Sequence, residues 1–180
     1  MAGWLALDRD QAADHTSVVV LPYLDGERTP DLPRSAGMIA GLRHATTREE
    51  ILLAAYEGAT ASLIDALHKL AGLGTGLDPA APLILVGGGA HGVVWQRTVR
   101  RLSGRAVHVP EAQELVALGA AVQAAACLSG ESGRDLARRW NTRRGTTIDA
   151  PAEADTETLD RIRSVRDATL ELHRSEVASL

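Results

Sequence analysis

A short apolar stretch that ends in three consecutive glycines constrains this chain more than any other feature. Residues 83–86 are Leu-Ile-Leu-Val, which is typical of a buried strand, and Gly87, Gly88 and Gly89 follow directly. Glycine is required where a backbone turns sharply or approaches a ligand closely. Residues 93–102 are compatible with a helix, and the N–H groups at the start of such a helix attract anions. Strand, glycine turn and helix together indicate a nucleotide site.

The composition is that of a globular protein with no expected membrane or nucleic-acid partner. The 180 residues are enough for one domain, or slightly more, and 45% of them are hydrophobic. The net charge of −4 argues against binding to nucleic-acid phosphates. We find no apolar run of transmembrane length and no signal-peptide pattern. The single cysteine, Cys127, fits a reducing cytoplasm, and its alanine neighbours predict a small core residue.

Hydrophobic periodicity and capping residues predict an α/β chain. Thr47 and Glu50 form a capping-box pattern that opens a helix extending to about Leu70, where Gly72, Gly74 and Gly76 end it. Residues 4–16 are uncertain, and the Pro- and Gly-rich residues 22–41 predict a long loop. The other predicted elements are strands at 17–21, 83–86 and 106–109 and helices at 93–103, 115–128, 134–141 and 156–177. We expect the helices at 47–70, 93–103 and 115–128 to pack on the strands at 83–86 and 106–109.

The glycine turn by itself allows more than one interpretation. Gly87, Gly89 and Gly92 satisfy the G-x-G-x-x-G pattern of dinucleotide-binding folds, and Glu111 follows the next predicted strand. A lone fingerprint is weak evidence, however, and only helices are expected after residues 106–109, whereas a dinucleotide fold needs a succession of βα units. A small nicotinamide-dependent protein is therefore ranked below the two functions described next. A glycine turn that binds no ligand also remains an alternative.

A second interpretation uses more of the chain. Residues 22–30 read Pro-Tyr-Leu-Asp-Gly-Glu-Arg-Thr-Pro, which resembles a segment of the xylulokinases, members of the FGGY carbohydrate kinase family. Three further segments resemble motifs of that family in its order and spacing. They are residues 37–57 for its second signature, Gly87–Ala90 with Trp95 and Gln96 for its adenosine motif, and residues 114–121 for the helix that closes the nucleotide side.

The resemblance covers about residues 17–130 and implies an actin-like ATPase fold, also called ribonuclease-H-like. It implies the C-terminal domain of an ATP-dependent pentulose kinase, D-xylulose being the expected sugar and the cytoplasm the expected location. By resemblance, Gly87, Gly88, Gly89 and Ala90 contact the adenosine and its first phosphate. Gln96 is assigned a bond to the base, although it could equally face solvent. Mg²⁺ is expected to arrive with the ATP, and no metal site is expected in the chain itself.

The same resemblance indicates what this chain does not carry. The family's first domain, with its phosphate motif, most sugar contacts and catalytic aspartate, has no counterpart here, and the second domain lacks its first strands. We therefore expect no catalytic residue, no kinase activity of the chain alone, and sugar binding only with an N-terminal domain. The expected organisation is an uncertain segment at 1–16, the kinase domain portion at 17–145 and a polar helical extension at 146–180.

The alternative function is a non-catalytic fragment that acts as an assembly or binding module with a separate N-terminal half. Such a half, or a second copy of the chain, is the expected partner besides ATP or ADP. Among single residues, Glu57 lies in an apolar helix pattern and is expected to be a buried, hydrogen-bonded structural carboxylate. Glu27 and Arg28 are expected to hold a turn, and the arginines at 134–144 to form a solvated surface.

Overall fold

The computed structural model of the chain describes residues 15–29, 31–112 and 114–178, with side chains described as far as residue 170. Most of the uncertain segment at 4–16 lies outside these ranges. In chain order the elements are β1 (Val19–Leu21), β2 (Met38–Ala40), α1 (Arg48–Gly72), β3 (Leu83–Ile84), α2 (Val93–Ser103), β4 (Val107–Pro110), α3 (Leu115–Ser129), α4 (Gly133–Arg139), β5 (Gly145–Ile148) and α5 (Thr156–Ala178).

Helix α1 begins and ends where its sequence predicts. The backbone N–H of Glu50 donates to the Thr47 hydroxyl, and the Glu50 carboxylate accepts from the backbone N–H of Thr47 at 2.8 Å, so both halves of the capping box form. After the helix ends at Gly72, Gly74 and Gly76 take left-handed φ angles of 71° and 67°. Glycine adopts these angles without steric cost, so both positions suit the segment that leaves the helix.

The first core lies between α1, α5 and a two-stranded sheet. Strands β1 and β2 pair antiparallel, with Val20 opposite Ile39. The sequence prediction of a loop over 22–41 was therefore wrong at its end, because a three-residue strand is specified by its pairing partner more than by its own residues. The buried members of this core are Val19, Leu21, Tyr23, Leu32, Ala61, Ile64, Leu102, Leu159 and Ile162.

The second core lies between α2 and a three-stranded sheet in the order β3-β4-β5. Strands β3 and β4 are parallel, with Leu83 opposite Val107, and β5 pairs antiparallel with β4. The expectation that only helices follow β4 was wrong, because the strand β5 also follows it. Strand β5 is short, polar and mostly exposed, so its sequence lacks the hydrophobic pattern that predicts a strand. Because β5 pairs antiparallel with β4, it does not add the further βα unit that a dinucleotide-binding fold requires. The buried side chains of this core are Ala90, Val99, Val107 and Val109.

Helix α3 departs furthest from expectation. It has the predicted limits, but it packs on α4 rather than on the strands, and Val122 is its one buried residue. Cys127 is exposed, which corrects its assignment to the core. No single helix in the described part of the chain is long and apolar enough to span a bilayer. Only α3 and α4 taken together, with a bend of 118° between them, meet that criterion by length and composition.

Candidate nucleotide-binding turn

The glycine turn lies at the carboxyl ends of two adjacent parallel strands. The N–H of Leu83 donates to Ala106 at 2.8 Å and that of Leu85 donates to His108 at 2.9 Å, so β3 is held in register until shortly before the turn. In open α/β sheets, ligands bind beyond the carboxyl ends of the strands. The local geometry therefore places the turn where a ligand site is expected.

The three glycines are present for two different reasons. Gly87 has a φ of 91°, which an L side chain rarely adopts, so the conformation itself requires glycine there. Gly88 and Gly89 have no such angle, and a Cβ built on either would meet no atom within 4 Å. Packing inside the described chain does not explain their small size. The backbone at Gly88 and Gly89 is instead left open to whatever lies above it.

Beyond Gly87, a single 3-10 turn over Gly88–His91 leads into α2. The N–H of Ala90 donates to the Gly87 carbonyl at 3.0 Å, and that of Gly92 donates to the Gly89 carbonyl at 3.1 Å. Ala90 is buried in the second core, which anchors the turn to the sheet. Gly92 caps α2 without a side-chain hydrogen bond, so no side chain competes for the first N–H groups of the helix.

Gln96 supports the turn from the first turn of α2. Its Nε2 donates to the carbonyl oxygen of Ala90 at 2.7 Å, and its backbone N–H donates to Gly92 at 3.0 Å. In this structure the side chain therefore holds the peptide of Ala90 in place. Trp95, beside it, is partly buried against the second core, with its ring 5.9 Å from that of Tyr56.

The surface facing the turn comes from the connection between β4 and α3. Pro110, Ala112 and Leu115 face Gly87 and Ala90 across a crevice of about 10 Å³, roughly the space of one water molecule. A nucleotide would therefore lie over an open surface and not in a closed pocket. Pro110 and Ala112 were not predicted from the sequence to face the turn. The end of the strand at Val109, next to Pro110, was the available signal.

Glu57 lies apart from the turn, in the contact between α1, α2 and α5. It is 1% exposed, and Arg101 Nη2 lies 2.5 Å from its Oε1. Arg101 also pairs with Asp155, and Arg161 Nη2 lies 3.5 Å from Glu57 Oε2. Burial raises the pKa of Glu57, and the hydrogen bond from Arg101 opposes that rise. The prediction of a buried, hydrogen-bonded structural carboxylate is confirmed.

The other charged candidates are also structural. Glu27 Oε1 accepts the backbone N–H groups of Arg28 at 2.7 Å and Thr29 at 3.2 Å, which confirms the predicted turn contact. The arginines near the end of α4 lie on the surface, where their ion pairs include Arg139–Glu131 at 2.8 Å and Arg144–Glu111 at 2.9 Å. In the described ranges, no three His, Cys, Asp or Glu side chains are arranged to hold a metal ion.

Comparison with known proteins adds the identity of the fold. Residues 3–128 match the model of the FGGY family of carbohydrate kinases, C-terminal domain. The chain is 53% identical over 179 residues to a xylulose kinase from Streptomyces coelicolor, covering 99% of this chain and 37% of that protein. It is 56% identical over 165 residues to a xylulose kinase from Streptomyces rubiginosus, covering 92% of this chain and 34% of that protein.

A solved structure agrees with these matches. A xyloylose kinase from Brucella ovis superposes with a TM-score of 0.79 at 25% identity, covering 94% of this chain and 36% of that one. The chain thus spans about a third of the length of the relatives it matches. With the family model covering residues 3–128, this chain belongs to the FGGY family of carbohydrate kinases and has the fold of their C-terminal domain.

Proposed function

We propose that this chain supplies the adenosine side of the ATP site in a pentulose kinase that phosphorylates D-xylulose. The observation that carries the proposal is the open glycine turn beyond β3 and β4, in a chain whose two Streptomyces relatives are xylulose kinases. Gly87 makes the turn possible, while Gly88 and Gly89 let the adenosine and its first phosphate approach the backbone. Gln96 holds the Ala90 peptide in position, and its Oε1 is available to accept from the base.

The phosphoryl chemistry requires groups from outside this turn. Phosphoryl transfer depends on positioning and on charge stabilisation around the transferred phosphoryl group. None of the described residues that line the crevice carries a carboxylate, so they do not fit a protein-held Mg²⁺. Mg²⁺ would be carried by the nucleotide phosphates. The sugar site and the catalytic base belong to a partner N-terminal domain in this proposal, and the enzyme acts in the cytoplasm.

Titration of the chain with ADP and with NAD, followed by amide chemical shifts, tests this assignment. We expect ADP to shift Gly87–Gly92 with a dissociation constant on the order of a millimolar, about 4 kcal/mol, because few groups here can hold the phosphates. NAD should give no selective shift. Shifts at Gly87–Gly92 with NAD and none with ADP would favour a dinucleotide site and contradict the proposal.

A pair of glycine variants separates ligand contact from folding. Gly88→Val places a branched side chain in the open space above the turn, so it should abolish the ADP shifts while the spectrum of α1 stays unchanged. Gly72→Val is the matched control. A Cβ at Gly72 also meets no atom within 4 Å, but Gly72 lies at the end of α1, so this variant should keep the ADP shifts at the turn. Undiminished ADP binding by the Gly88→Val variant would show that the glycine turn is not part of the nucleotide site.

A further inference from the structure

A surface cavity beside helix α4 is lined by three arginines. Its volume is about 570 Å³, which is within the range of small-molecule sites, and it lies where α4 leads into β5. The described residues that line it are Arg134, Ala137, Arg138, Asn141, Thr142 and Arg143, and none of these carries a carboxylate. The described lining of the crevice at the glycine turn shares none of these residues, so the two openings are separate.

The charge around this cavity is opposite in sign to that of the whole chain. Residues 131–144 contain five arginines and two carboxylates, a net charge of +3, whereas the whole chain has a net charge of −4. Three of the five arginines have carboxylate partners, in the pairs Arg138–Asp135, Arg139–Glu131 and Arg144–Glu111. Among the described residues, Arg134 and Arg143 have no such partner. Both of these unpaired arginines line the cavity.

The dipole of α4 does not explain why the two unpaired arginines are there. Cations are stabilised in the last turn of a helix and disfavoured in its first turn. Helix α4 spans only Gly133–Arg139, so Arg134 lies in its first turn and Arg143 lies beyond its end. A ligand of opposite charge is the simplest reason for two unpaired arginines in one cavity.

The turn that carries Asn141, Thr142 and Arg143 is held in place from two sides. On the helix side, the backbone N–H and the hydroxyl of Thr142 both donate to the Ala137 carbonyl, at 3.1 and 3.3 Å. On the strand side, Nε2 of His108 lies 3.0 Å from the Arg143 carbonyl, and it donates there because a carbonyl only accepts. The backbone at Arg143 is thus fixed before any ligand binds, which lowers the ordering cost of binding.

We propose that this cavity binds the phosphate group of a small phosphorylated molecule. A phosphate monoester carries a charge of about −1.5 to −2 at neutral pH, which matches the two unpaired arginines. A guanidinium group binds phosphate oxygens through two parallel N–H bonds, so Arg134 and Arg143 suit this ligand better than a single point charge would. Asn141 adds an uncharged amide donor to the same lining. The inference goes beyond the proposed function and does not depend on nucleotide binding at the glycine turn.

Titration of the chain with inorganic phosphate and with D-xylulose 5-phosphate, followed by amide chemical shifts, tests the proposal. We expect both probes to shift the amides of residues 138–144, and the binding to weaken as sodium chloride is added, because salt screens exposed charges. D-xylulose without phosphate is the control and should cause no shift there. If neither phosphate probe shifts residues 138–144, the proposal is overturned.

The two phosphate probes also distinguish the sources of the phosphate group. If D-xylulose 5-phosphate binds at least about tenfold more tightly than inorganic phosphate, the ligand is a phosphorylated sugar. If both bind equally, the cavity recognises the phosphate group alone. Either result supports the proposal, which concerns the phosphate group that the two probes share.

A matched pair of arginine variants separates a specific cavity from a general surface charge. Arg143→Gln and Arg139→Gln remove the same charge from nearby exposed positions, but only Arg143 lines the cavity, while Arg139 pairs with Glu131. We expect Arg143→Gln to weaken phosphate binding by at least about tenfold, and Arg139→Gln by less than about twofold. Arg134→Gln should reproduce the tenfold loss. Equal losses in the Arg143 and Arg139 variants, both folded as judged by their melting temperatures, would overturn the proposal.

The Gly88→Val variant shows whether phosphate binds in this cavity or at the glycine turn. Gly88 does not line the cavity, so this substitution should leave the phosphate-induced shifts at residues 138–144 unchanged. If Gly88→Val weakens binding of inorganic phosphate as much as Arg143→Gln does, phosphate binds at the turn and the proposal fails. If ADP causes no shift at Gly87–Gly92 while phosphate shifts residues 138–144, the proposed function fails and the cavity proposal stands.

Discussion

Glu57 determines how three helices meet, and it does so as a buried carboxylate. Its side chain is 1% exposed, and its Oε2 has the ion pair with Arg161 at 3.5 Å but no hydrogen bond. Arg101 donates to Oε1 and is itself shared with Asp155. Burial of a charge is costly unless pairing is complete, and here one oxygen is incompletely paired. Burial outweighs this pairing with the arginines, which is why the pKa of Glu57 is raised above its ordinary value.

This raised pKa predicts how stability changes with pH. Because the folded pKa of Glu57 lies above its ordinary value of 4.5, its contribution to stability is complete below that value and is lost as pH rises through the folded pKa. Glu57→Gln resembles the protonated side chain, so its free energy of unfolding should lack this loss. Urea unfolding at a series of pH values measures the difference. A Glu57→Gln protein that becomes progressively less stable than the parent as pH rises would contradict the assignment.

At the scale of elements, the contact between α1 and β1 depends on one glycine. Gly58 faces β1 so closely that a Cβ would lie 1.8 Å from the Val20 carbonyl oxygen. Gly58→Ala should therefore destabilise the protein by about 2 kcal/mol or more, although alanine is the better helix former. Gly72→Ala in the same helix meets no atom within 4 Å and should stabilise by about 0.5 kcal/mol. Urea midpoints of the two variants check both signs; a neutral Gly58→Ala would show that α1 and β1 are further apart.

How far the elements could be predicted depends on where their determinants lie. The limits of α1 are local, in Thr47, Glu50 and the following glycines, and they were predicted correctly. Strands β2 and β5 are specified by their partners β1 and β4, so their own three or four residues give little signal. The alanine-rich α3 was correctly predicted as a helix. Its exposure could not be inferred, because a helix of alanines and other uncharged residues has the composition of a buried helix.

The same distinction applies to the candidate site. The glycine turn and its position after a strand were visible in residues 83–89, because conformation and periodicity are local properties. The hydrogen bond from Gln96 to the Ala90 carbonyl was not visible, since a helical glutamine can equally face solvent. Of the three glycines, only Gly87 takes a left-handed φ, at 91°. Only the backbone angles of the folded chain distinguish these neighbours.

At the scale of the whole molecule, the described part of the chain has two buried cores and, outside them, exposed apolar residues on α3 and at β3. Helix α2 contributes to both cores, with Leu102 in the first and Val99 in the second, and α5 adds Leu159 and Ile162 to the first. The ion pairs of Asp65 with Arg163 and Arg166 tie α5 to α1. The exposed apolar residues include Val116 and Leu128 of α3 and Ile84 and Val86 at β3. Val86 and Leu115 also line the crevice at the glycine turn.

The role of this chain in a pentulose kinase is tested most directly by ATP-dependent phosphorylation of D-xylulose. The chain alone is compared with a hybrid in which this chain replaces the matching 179 residues of the Streptomyces coelicolor xylulose kinase. We expect the hybrid to phosphorylate D-xylulose, and its Gly88→Val form to lose most of that turnover and to have a raised KM for ATP. We expect no turnover by the chain alone, because one side of a phosphoryl-transfer site cannot stabilise the reaction. A hybrid that folds but does not phosphorylate xylulose would contradict the proposed function. Turnover of xylulose by the chain alone would contradict it equally.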